Sequence, residues 1–440
     1  MEKHLNQDES APPRGAWAQV LLASVLMLAT LPGRTQGLGL ITEPLLSDLH
    51  LDRLSYANLN LWATLLGASL CFPTGWAIDR VGLRWVTGFI VAALGATVWR
   101  VSLVTGHPAM LFLLLLATRA LGQSALSVCS ITTVGRWFPK GSGVAMGVYS
   151  ILLSVFFAIA FGVVGYAVRA NGWRAAWLQI SLALVFVVTP LVVIALREPK
   201  SPRTGAAANP VAPGAQTGGI AVSSPGQPES GLTLSQALRT GAFWLFAGSG
   251  AAFNLVSSGL GLFNEAVLAE RGFNQKMFHW FLAVSTLMAL GGQFLSGWLT
   301  RQWRYQTLVC LALALYAACL GAIPLISAAW QLWSLAVVLG VAGGMIIVVF
   351  FSVWSDLFGQ RHLGQIQGAA QMLTVVSSAL GPVLFADGAR RFGSYAPLLF
   401  VLAGAVLALA LVARVIRDPT QMQALSASSG DQIQNELVPT

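Results

Sequence analysis

The stretch Gly75–Arg84, with the sequence GWAIDRVGLR, separates two long apolar runs. It carries an aspartate and two arginines, and its glycines permit a tight turn. The apolar runs on either side, at about Ala57–Ile78 and Val86–Thr105, are each about as long as the 20 residues that a helix needs to cross a bilayer. A charged turn between two such runs predicts a helical hairpin that enters and leaves a membrane.

The composition of the whole chain extends this interpretation. Of the 440 residues 56% are hydrophobic and 9% are charged, whereas soluble domains carry roughly 25% charged residues. So few charges cannot cover a water-soluble surface, so most of the surface is expected to face lipid. The net charge of +9 does not indicate nucleic-acid binding, because the basic residues lie singly between apolar runs.

Twelve apolar runs predict an all-α polytopic membrane protein with twelve transmembrane helices. The first six lie at about Trp17–Thr42, Ala57–Ile78, Val86–Thr105, Ala109–Val134, Gly143–Val168 and Ala175–Leu196. The other six lie at about Ala242–Ala266, Met277–Leu299, Gln306–Ile326, Trp330–Val353, Gly364–Ala386 and Tyr395–Ala413.

These runs divide the chain into a cytoplasmic tail (1–16), a six-helix half (17–198), a linker (199–240), a second six-helix half (241–415) and a second cytoplasmic tail (416–440). The linker is rich in Pro, Gly, Ala and Ser, a composition that cannot bury enough apolar area to fold. Lys and Arg are more frequent in the loops on the side of the termini, which favours cytoplasmic termini in a plasma (inner) membrane.

The two halves resemble each other in sequence. The segment GRWFPKGSGVAMG (135–147) corresponds to SDLFGQRHLGQIQG (355–368), and GWAIDR (75–80) corresponds to GWLTRQ (297–302). Such repeats are typical of transporters that hold their substrate near the bilayer midplane between two pseudo-symmetric halves.

One motif resembles the signature of the major facilitator superfamily between helices two and three. Its matching positions are Gly75, Asp79, Arg80, Gly82 and Arg84. The resemblance implies the major facilitator fold, with this loop acting as a gating latch between the halves. The run RALGQ (119–123) resembles a second, weaker signature of the family in helix four, and the second-half copy of the first motif places an arginine where the aspartate would stand.

Within the superfamily, three stretches resemble the monocarboxylate and oxalate/formate transporter group: RWFPKGSGVAMG, GLGLFNEAVLAERGFNQ and FGQRHLGQIQG. Members of that group commonly carry an Asp and an Arg in helix eight, where this chain has Ala289 and Gln293. An arginine in helix one instead resembles the organophosphate antiporter group.

Two arginines lie inside predicted spans and are the first candidates for substrate binding. Arg34 lies in LPGRTQGLGL, where its insertion costs about 2.5–3.5 kcal/mol, so we expect it to face a cavity and bind an anion. The alternative is an interfacial arginine or a pair with Glu43. Arg119 is the second candidate, and its alternative is a structural bond to a neighbouring helix. The helical rise places both slightly outside the midplane, where they could share a cavity.

Further polar residues in the spans complete the predicted site. The substrate-binding candidates are Gln36, Gln123, Asn254, Gln293 and Tyr149, each with a helix–helix hydrogen bond as its alternative. Candidates for proton coupling are Glu43, Glu265 and His279, each with an ordinary interfacial role as its alternative.

The predicted function is a secondary transporter that moves a small organic anion, by resemblance a monocarboxylate, by alternating access. A site with arginines and no deep carboxylate suits an anion. The alternatives are an organophosphate or inorganic-anion exchanger, a neutral-solute transporter, or a non-transporting solute sensor. The expected partners are the anionic substrate, the lipid bilayer and, if transport is coupled, a proton or a counter-anion. The protein is expected to be a monomer. The sequence contains no P-loop, no catalytic constellation, no metal-ligand cluster and no cofactor motif. We therefore do not expect an enzyme.

Overall fold

The computed structural model describes residues 15–51, 53–105, 108–138, 142–199 and 231–416. Within these ranges the chain is helical, apart from loops and one isolated backbone bridge between Gly231 and Gly359. Apart from residues 15, 16 and 416, the predicted tails lie outside the described residues, as do residues 200–230 of the predicted linker. The predicted linker extends too far, because its end is ordered and contains the short helix Leu234–Leu238, which Thr233 caps.

Twelve helices in the described ranges are long and apolar enough to cross a membrane, which confirms the predicted fold class. In the first half they are α1 (Ala16–Gly33), α2 (Ser55–Val81), α3 (Leu83–Ser102), α4 (Ala109–Trp137), α5 (Ser142–Asn171) and α6 (Trp173–Ala195). In the second half they are α7 (Gly241–Ala269), α8 (Lys276–Leu299), α9 (Tyr305–Leu325), α10 (Ala329–Phe358), α11 (Leu363–Phe392) and α12 (Ala396–Val415).

Local sequence explains several helix ends. The side chains of Thr240 and Asn274 accept hydrogen bonds from backbone N–H groups in the first turns of α7 and α8, as helix N-caps do. Gly82 separates α2 from α3 with φ +100°, and Gly393 ends α11 with φ +68°. Only glycine adopts these backbone angles without strain.

Helix α1 is shorter than the predicted span Trp17–Thr42. It ends at Gly33, and two short helices, Thr35–Gly39 and Thr42–Leu49, follow it. The predicted span runs through the polar residues Arg34, Thr35 and Gln36 because the apolar residues Leu38, Leu40 and Ile41 follow them. Helices α10 and α11 are longer than predicted, so Asp356 and Asp387 lie in their last turns rather than in loops.

The outer surface of the bundle is apolar. Phe89, Phe186 and Ile194 are 73%, 72% and 73% exposed, respectively. A water-soluble monomer rarely exposes so much contiguous apolar surface, whereas lipid chains cover it at no cost. The protein is an integral membrane protein.

Each half has its own hydrophobic cluster. One cluster of buried residues is built from positions 237–413, and a second is built from the first half together with Val375 of α11. Glycines allow the helices of the two halves to approach closely. A Cβ on Gly75 of α2 would clash with the carbonyl of Gly364 in α11, and Gly147 of α5 lies against Gly297 of α8. Small residues at such crossings are how helices associate in lipid, where no hydrophobic force drives them together.

Candidate functional site

The interruption of α1 creates the first element of the site. Pro32 lacks a backbone N–H and lies in the tight turn that ends α1, and Arg34 then adopts extended backbone angles (φ −92°, ψ 152°). Gly33 packs so closely against α4 that a Cβ there would clash with the carbonyl of Thr118. The chain therefore changes direction at Arg34 while remaining in backbone contact with α4.

Helix α4 is irregular at the same depth. Residues Arg119–Leu126 form a π-helical turn, a feature that is frequent at functional sites. At about 1.5 Å per residue, Arg34 and Arg119 each lie about 27 Å from the end of the bundle that holds the starts of α1 and α7. That end is called the termini end below, and the other is the opposite end.

Arg119 is 3% exposed, and its guanidinium binds the interrupted segment. Its Nη1 donates to the Gly33 carbonyl at 3.3 Å, to Thr35 Oγ1 at 3.0 Å and to Gln123 Oε1 at 2.8 Å. Its Nη2 donates to Asn60 Oδ1 at 3.0 Å. Its Nε is buried and has no partner. All of these acceptors are neutral.

The Arg34 side chain points back along α1 and is half-buried. Its Nε donates to Thr30 Oγ1 at 2.6 Å, and its Nη2 lies 2.8 Å from Met27 Sδ and 3.3 Å from Ser127 Oγ. The guanidinium stands over the ring of Phe157 in α5, 5.3 Å from its centroid. Within the described part of the chain, these partners are also neutral, and none of them binds Nη1.

Tyr149 lies one turn closer to the termini end than this cluster. Its ring is fully buried, and its hydroxyl lies 2.7 Å from Ser130 Oγ, which donates to the carbonyl of Ala23. Its ring also contacts Phe351 of α10 edge to face. In this conformation Tyr149 joins α1, α4 and α5 and does not reach the Arg34 guanidinium by a hydrogen bond.

The remaining predicted binding residues separate into two groups. Gln123 binds Arg119, and Gln36 is exposed next to Thr35. Asn254 donates to the Gly250 carbonyl of its own helix. Gln293 lies 3.5 Å from Ser154 Oγ, and its Oε1 is buried without a partner. The structure thus brings Gln123 to Arg119, leaves Gln36 exposed two residues after Arg34, and places Asn254 and Gln293 elsewhere.

The residues predicted for proton coupling lie toward the opposite end. Glu43 is exposed on the helix Thr42–Leu49, and Glu265 is exposed near the end of α7. The side chain of His279 lies outside the described part of the structure. Among the described residues, no group of three or more His, Cys, Asp and Glu side chains could hold a metal ion.

Four hydroxyl or amide residues of the arginine site were not predicted from the sequence: Thr30, Thr35, Asn60 and Ser127. Met27 and Phe157, which also contact Arg34, were not predicted either. Asn60 is the one with a detectable signal, because it is a carboxamide inside an apolar run of the length of a span. Hydroxyl residues are common in membrane helices, where they bond to their own backbone, so the other three carry no distinctive signal.

Asp79 connects the halves at the termini end. Its carboxylate accepts hydrogen bonds from the backbone N–H groups of Gly364 and Gln365, at 3.2 and 3.0 Å, at the start of α11. It also pairs with Arg136 of α4 at 2.9 Å and is 4% exposed. These four residues form the Asp79 cluster, in which an anion caps a helix N-terminus.

The other residues of the predicted latch surround this cluster. Gly75 provides the close approach to Gly364, and Gly82 turns the chain beside Glu198. The Arg80 guanidinium stacks on Trp76, 4.4 Å from the ring centroid, and that of Arg84 lies 5.5 Å from the Trp85 ring centroid.

A related cluster joins α10 to α5. Asp356 accepts a hydrogen bond from the Tyr305 hydroxyl at 2.6 Å and another from the backbone N–H of Ser142, at the start of α5, at 3.4 Å. The Ser142 hydroxyl donates to the Ser352 carbonyl at 2.9 Å. Asp356 of the second half thus binds the start of a helix in the first half, as Asp79 of the first half binds the start of a helix in the second. The repeat relates α2 to α8, but the second carboxylate lies on α10. This Asp356 cluster was not predicted from the sequence.

The hydrogen bonds between the halves, among residues that the structure describes, lie toward the termini end. In addition to the two carboxylate clusters, Thr132 Oγ1 donates to Gln367 Oε1 at 3.2 Å, and Gln360 donates to the Gly135 carbonyl at 2.8 Å. Thr132 and Gln367 are 0% and 1% exposed, so the halves exclude water at this level of the bundle.

A family model described as Major Facilitator Superfamily matches residues 22–382 and, separately, residues 254–432. A curated relative, an uncharacterized 38 kDa protein in the 23S RNA operon of Thermoproteus tenax, is 24% identical over 395 residues, which are 88% of this chain and 89% of the relative.

Among solved structures, a variant of the E. coli fucose:proton symporter FucP matches with a TM-score of 0.64 and 14% identity, covering 90% of this chain and 98% of the symporter. A second structure of FucP, in the outward conformation, also has a TM-score of 0.64, with 12% identity over 91% of this chain and 99% of the other. At such identities the likeness concerns the fold.

Proposed function

Because this chain belongs to the Major Facilitator Superfamily and is therefore a membrane transporter rather than an enzyme, we propose that it is a secondary transporter of a small organic anion. One observation carries the proposal: Arg34 and Arg119 lie inside the bundle, and the acceptors that they bind in the described structure are all neutral. An arginine costs about 2.5–3.5 kcal/mol in a membrane, and an anionic substrate at Arg34 would offset that cost.

Arg34 is the residue that we assign to direct contact with the anion. It is half-buried, and its Nη1 binds no described protein acceptor. Its planar guanidinium matches a carboxylate in geometry and charge. Phe157 beside it supplies an apolar surface for the rest of an organic anion. The resemblance to the monocarboxylate group favours a monocarboxylate among such anions.

A neutral solute is the second candidate. It is favoured by the likeness of the fold to a fucose:proton symporter. For either substrate, the exposed carboxylates of Glu43 and Glu265 are the proposed groups for proton coupling. An exchanger of organophosphates or inorganic anions, and a solute sensor, predict different responses in the experiment below.

Transport is proposed to occur by alternating access, with both termini in the cytoplasm and the protein in the plasma membrane as a monomer. The termini end is then the cytoplasmic end. A protein that is closed at this end is open to the outside of the cell. The Asp79 and Asp356 clusters are proposed to act as latches that hold this state, because each ties a carboxylate of one half to a helix start in the other.

A thermal-shift panel on detergent-purified protein tests the substrate class. The probes are propionate, succinate, glucose 6-phosphate, inorganic phosphate, fucose and choline. A ligand that binds only the folded protein raises stability by about 2.7 kcal/mol at a hundred times its Kd. We expect stabilisation by an organic anion, loss of that effect in Arg34→Gln, and no loss in Arg100→Gln, which removes an exposed arginine at the end of α3.

Stabilisation by phosphate or glucose 6-phosphate alone would favour the exchanger. Stabilisation by fucose, unchanged in Arg34→Gln, would favour the neutral-solute transporter and contradict the anion proposal. Uptake of the stabilising probe into proteoliposomes separates a transporter from a sensor, because a sensor binds its ligand without moving it.

A further inference from the structure

We infer that Arg119 is a positioning residue that holds the interrupted segment of α1, and that Arg34 is the single guanidinium available to the substrate, so that the site selects anions with one charge. This inference rests on the proposed function, since it divides the roles of the two arginines within the same site.

First, the N–H groups on both Nη atoms of Arg119 are already engaged by the protein. Both Nη atoms bind protein acceptors, and the whole side chain is 3% exposed. The Nε atom has no hydrogen-bond partner and almost no solvent-accessible surface. A substrate could reach this guanidinium only after Asn60, Gln123 or Thr35 had released it, and each release gives up a hydrogen bond to a charged group, which costs free energy.

The second step is what Arg119 binds. Its Nη1 contacts the Gly33 carbonyl and the Thr35 hydroxyl, which are the residues on either side of Arg34. The α-helical path of α1 ends at this point, so the helix itself does not fix the direction of the chain. Arg119 therefore sets the orientation from which the Arg34 side chain leaves the backbone.

The third step concerns the charge of the ligand. Among the described residues, the groups that contact the Arg34 side chain are neutral, so a substrate with two carboxylates would place its second charge beside neutral groups. Removing a charge from water without a partner is strongly unfavourable. A substrate with one carboxylate pairs with Arg34 and leaves no unpaired charge. The site therefore discriminates by charge number as well as by sign.

A ligand-free measurement tests the positioning role. Hydrogen–deuterium exchange is followed on the full-length protein for the peptide that spans residues 31–41, in wild type, Arg119→Gln and Arg34→Gln. We expect exchange in this peptide to accelerate at least about ten-fold in Arg119→Gln, because each ten-fold change corresponds to a modest loss of local stability. Arg34→Gln and the control Arg100→Gln should change it much less. Unchanged exchange in Arg119→Gln would refute the positioning role, whatever the protein transports.

Binding of propionate and succinate at about pH 8, where both succinate carboxyls are ionised, tests the selection of charge. We expect wild type to bind propionate at least about ten-fold more tightly than succinate. Arg119→Gln should weaken both probes by a similar factor, leaving their ratio unchanged. The double variant Thr35→Val/Asn60→Leu removes two acceptors of Arg119, so the ratio should move toward succinate.

Two results separate the failure of this inference from the failure of the proposed function. If succinate binds wild type as tightly as propionate, or Arg119→Gln weakens succinate selectively, Arg119 is a substrate ligand and only the inference fails. If neither anion binds while fucose or choline does, the anion proposal and the charge selection fail together, and the exchange experiment still decides the positioning role.

Discussion

Gly33 and Gly122 pack backbone against backbone where α1 meets α4. A Cβ on Gly122 would lie 3.1 Å from the Cα of Gly33, and a Cβ on Gly33 would meet the Thr118 carbonyl and the Gly122 Cα. The contact brings the interrupted end of α1 within reach of Arg119. Backbone proximity of this kind requires glycine, because any side chain would hold the helices apart.

We expect Gly33→Ala to destabilise the protein and impair transport. Its methyl group must displace the backbone of α4, and overpacking of this type typically costs about 1–3 kcal/mol. The measurement is thermal unfolding in detergent, together with uptake of the stabilising probe into proteoliposomes. Gly404→Ala is the matched control, because a Cβ there meets nothing within 4 Å. Equal melting temperatures for the two variants would contradict the observed packing.

The Asp79 cluster gives the second prediction. Asp79→Asn removes the ion pair with Arg136 and weakens the cap on α11, so the termini end should open more often. A hydrogen bond to a charged group contributes about 1.5–3 kcal/mol, which corresponds to a ten-fold or greater change in the open population. The reporter is maleimide labelling of Thr132→Cys, in a protein whose native cysteines are replaced by serine.

Thr132 is suitable as a reporter because it is fully buried at the contact with Gln367. Asp387→Asn is the control, since it removes a carboxylate paired with Arg390 and Arg391 at the opposite end. If Asp79→Asn labels no faster than this control, the Asp79 cluster does not hold the termini end closed.

The Asp356 cluster gives the third prediction, which is best measured as a double-mutant cycle. Tyr305→Phe leaves the Asp356 carboxylate buried without its closest donor, at a cost of about 1–3 kcal/mol. Asp356→Asn/Tyr305→Phe should cost less than the sum of the single changes, with a coupling of at least about 0.5 kcal/mol. Thermal unfolding supplies the energies, and strict additivity would show that the two side chains do not interact.

Asp79→Asn and Asp356→Asn should act independently on opening. The first carboxylate binds the start of α11 and the second binds the start of α5, with no shared donor. We therefore expect the labelling rate of Thr132→Cys in the combined variant to rise by the product of the two single effects. A combined effect no larger than that of Asp79→Asn alone would mean that one cluster controls closure by itself.

Much of the fold could be predicted from the sequence because the bilayer imposes a simple rule. A run of apolar residues long enough to cross it must be helical, since lipid satisfies no backbone hydrogen bond. The signature around Asp79 predicts a latch between the halves, and the structure shows hydrogen bonds from α11 to Asp79 and its ion pair with Arg136; that this contact acts as a latch stays a prediction. This rule alone does not give the end of α1, because the chain resumes a helix at Thr35 and the apolar residues Leu38, Leu40 and Ile41 follow the polar run Arg34–Gln36.

The arginine site was only partly predictable. An arginine in an apolar run is conspicuous in any sequence because its insertion is costly, so Arg34 and Arg119 were recognised as candidates. Their partners were not, because Asn60 is distant from both in sequence and Thr30, Thr35 and Ser127 resemble ordinary hydroxyl residues of membrane helices. Tyr149 and Gln293 were grouped with the arginines on polarity alone, and packing places them in other contacts.

The sequence by itself therefore determined that this chain crosses a membrane twelve times, in two related halves, with two positive charges inside the first half. These features follow from hydropathy and charge, which act on each segment separately. Only the tertiary structure decided that Arg119 binds both neighbours of Arg34, and that Asp356 takes on α10 the role that the repeat would place on α8. Those relationships depend on which helices meet and at what depth, and helix packing sets both.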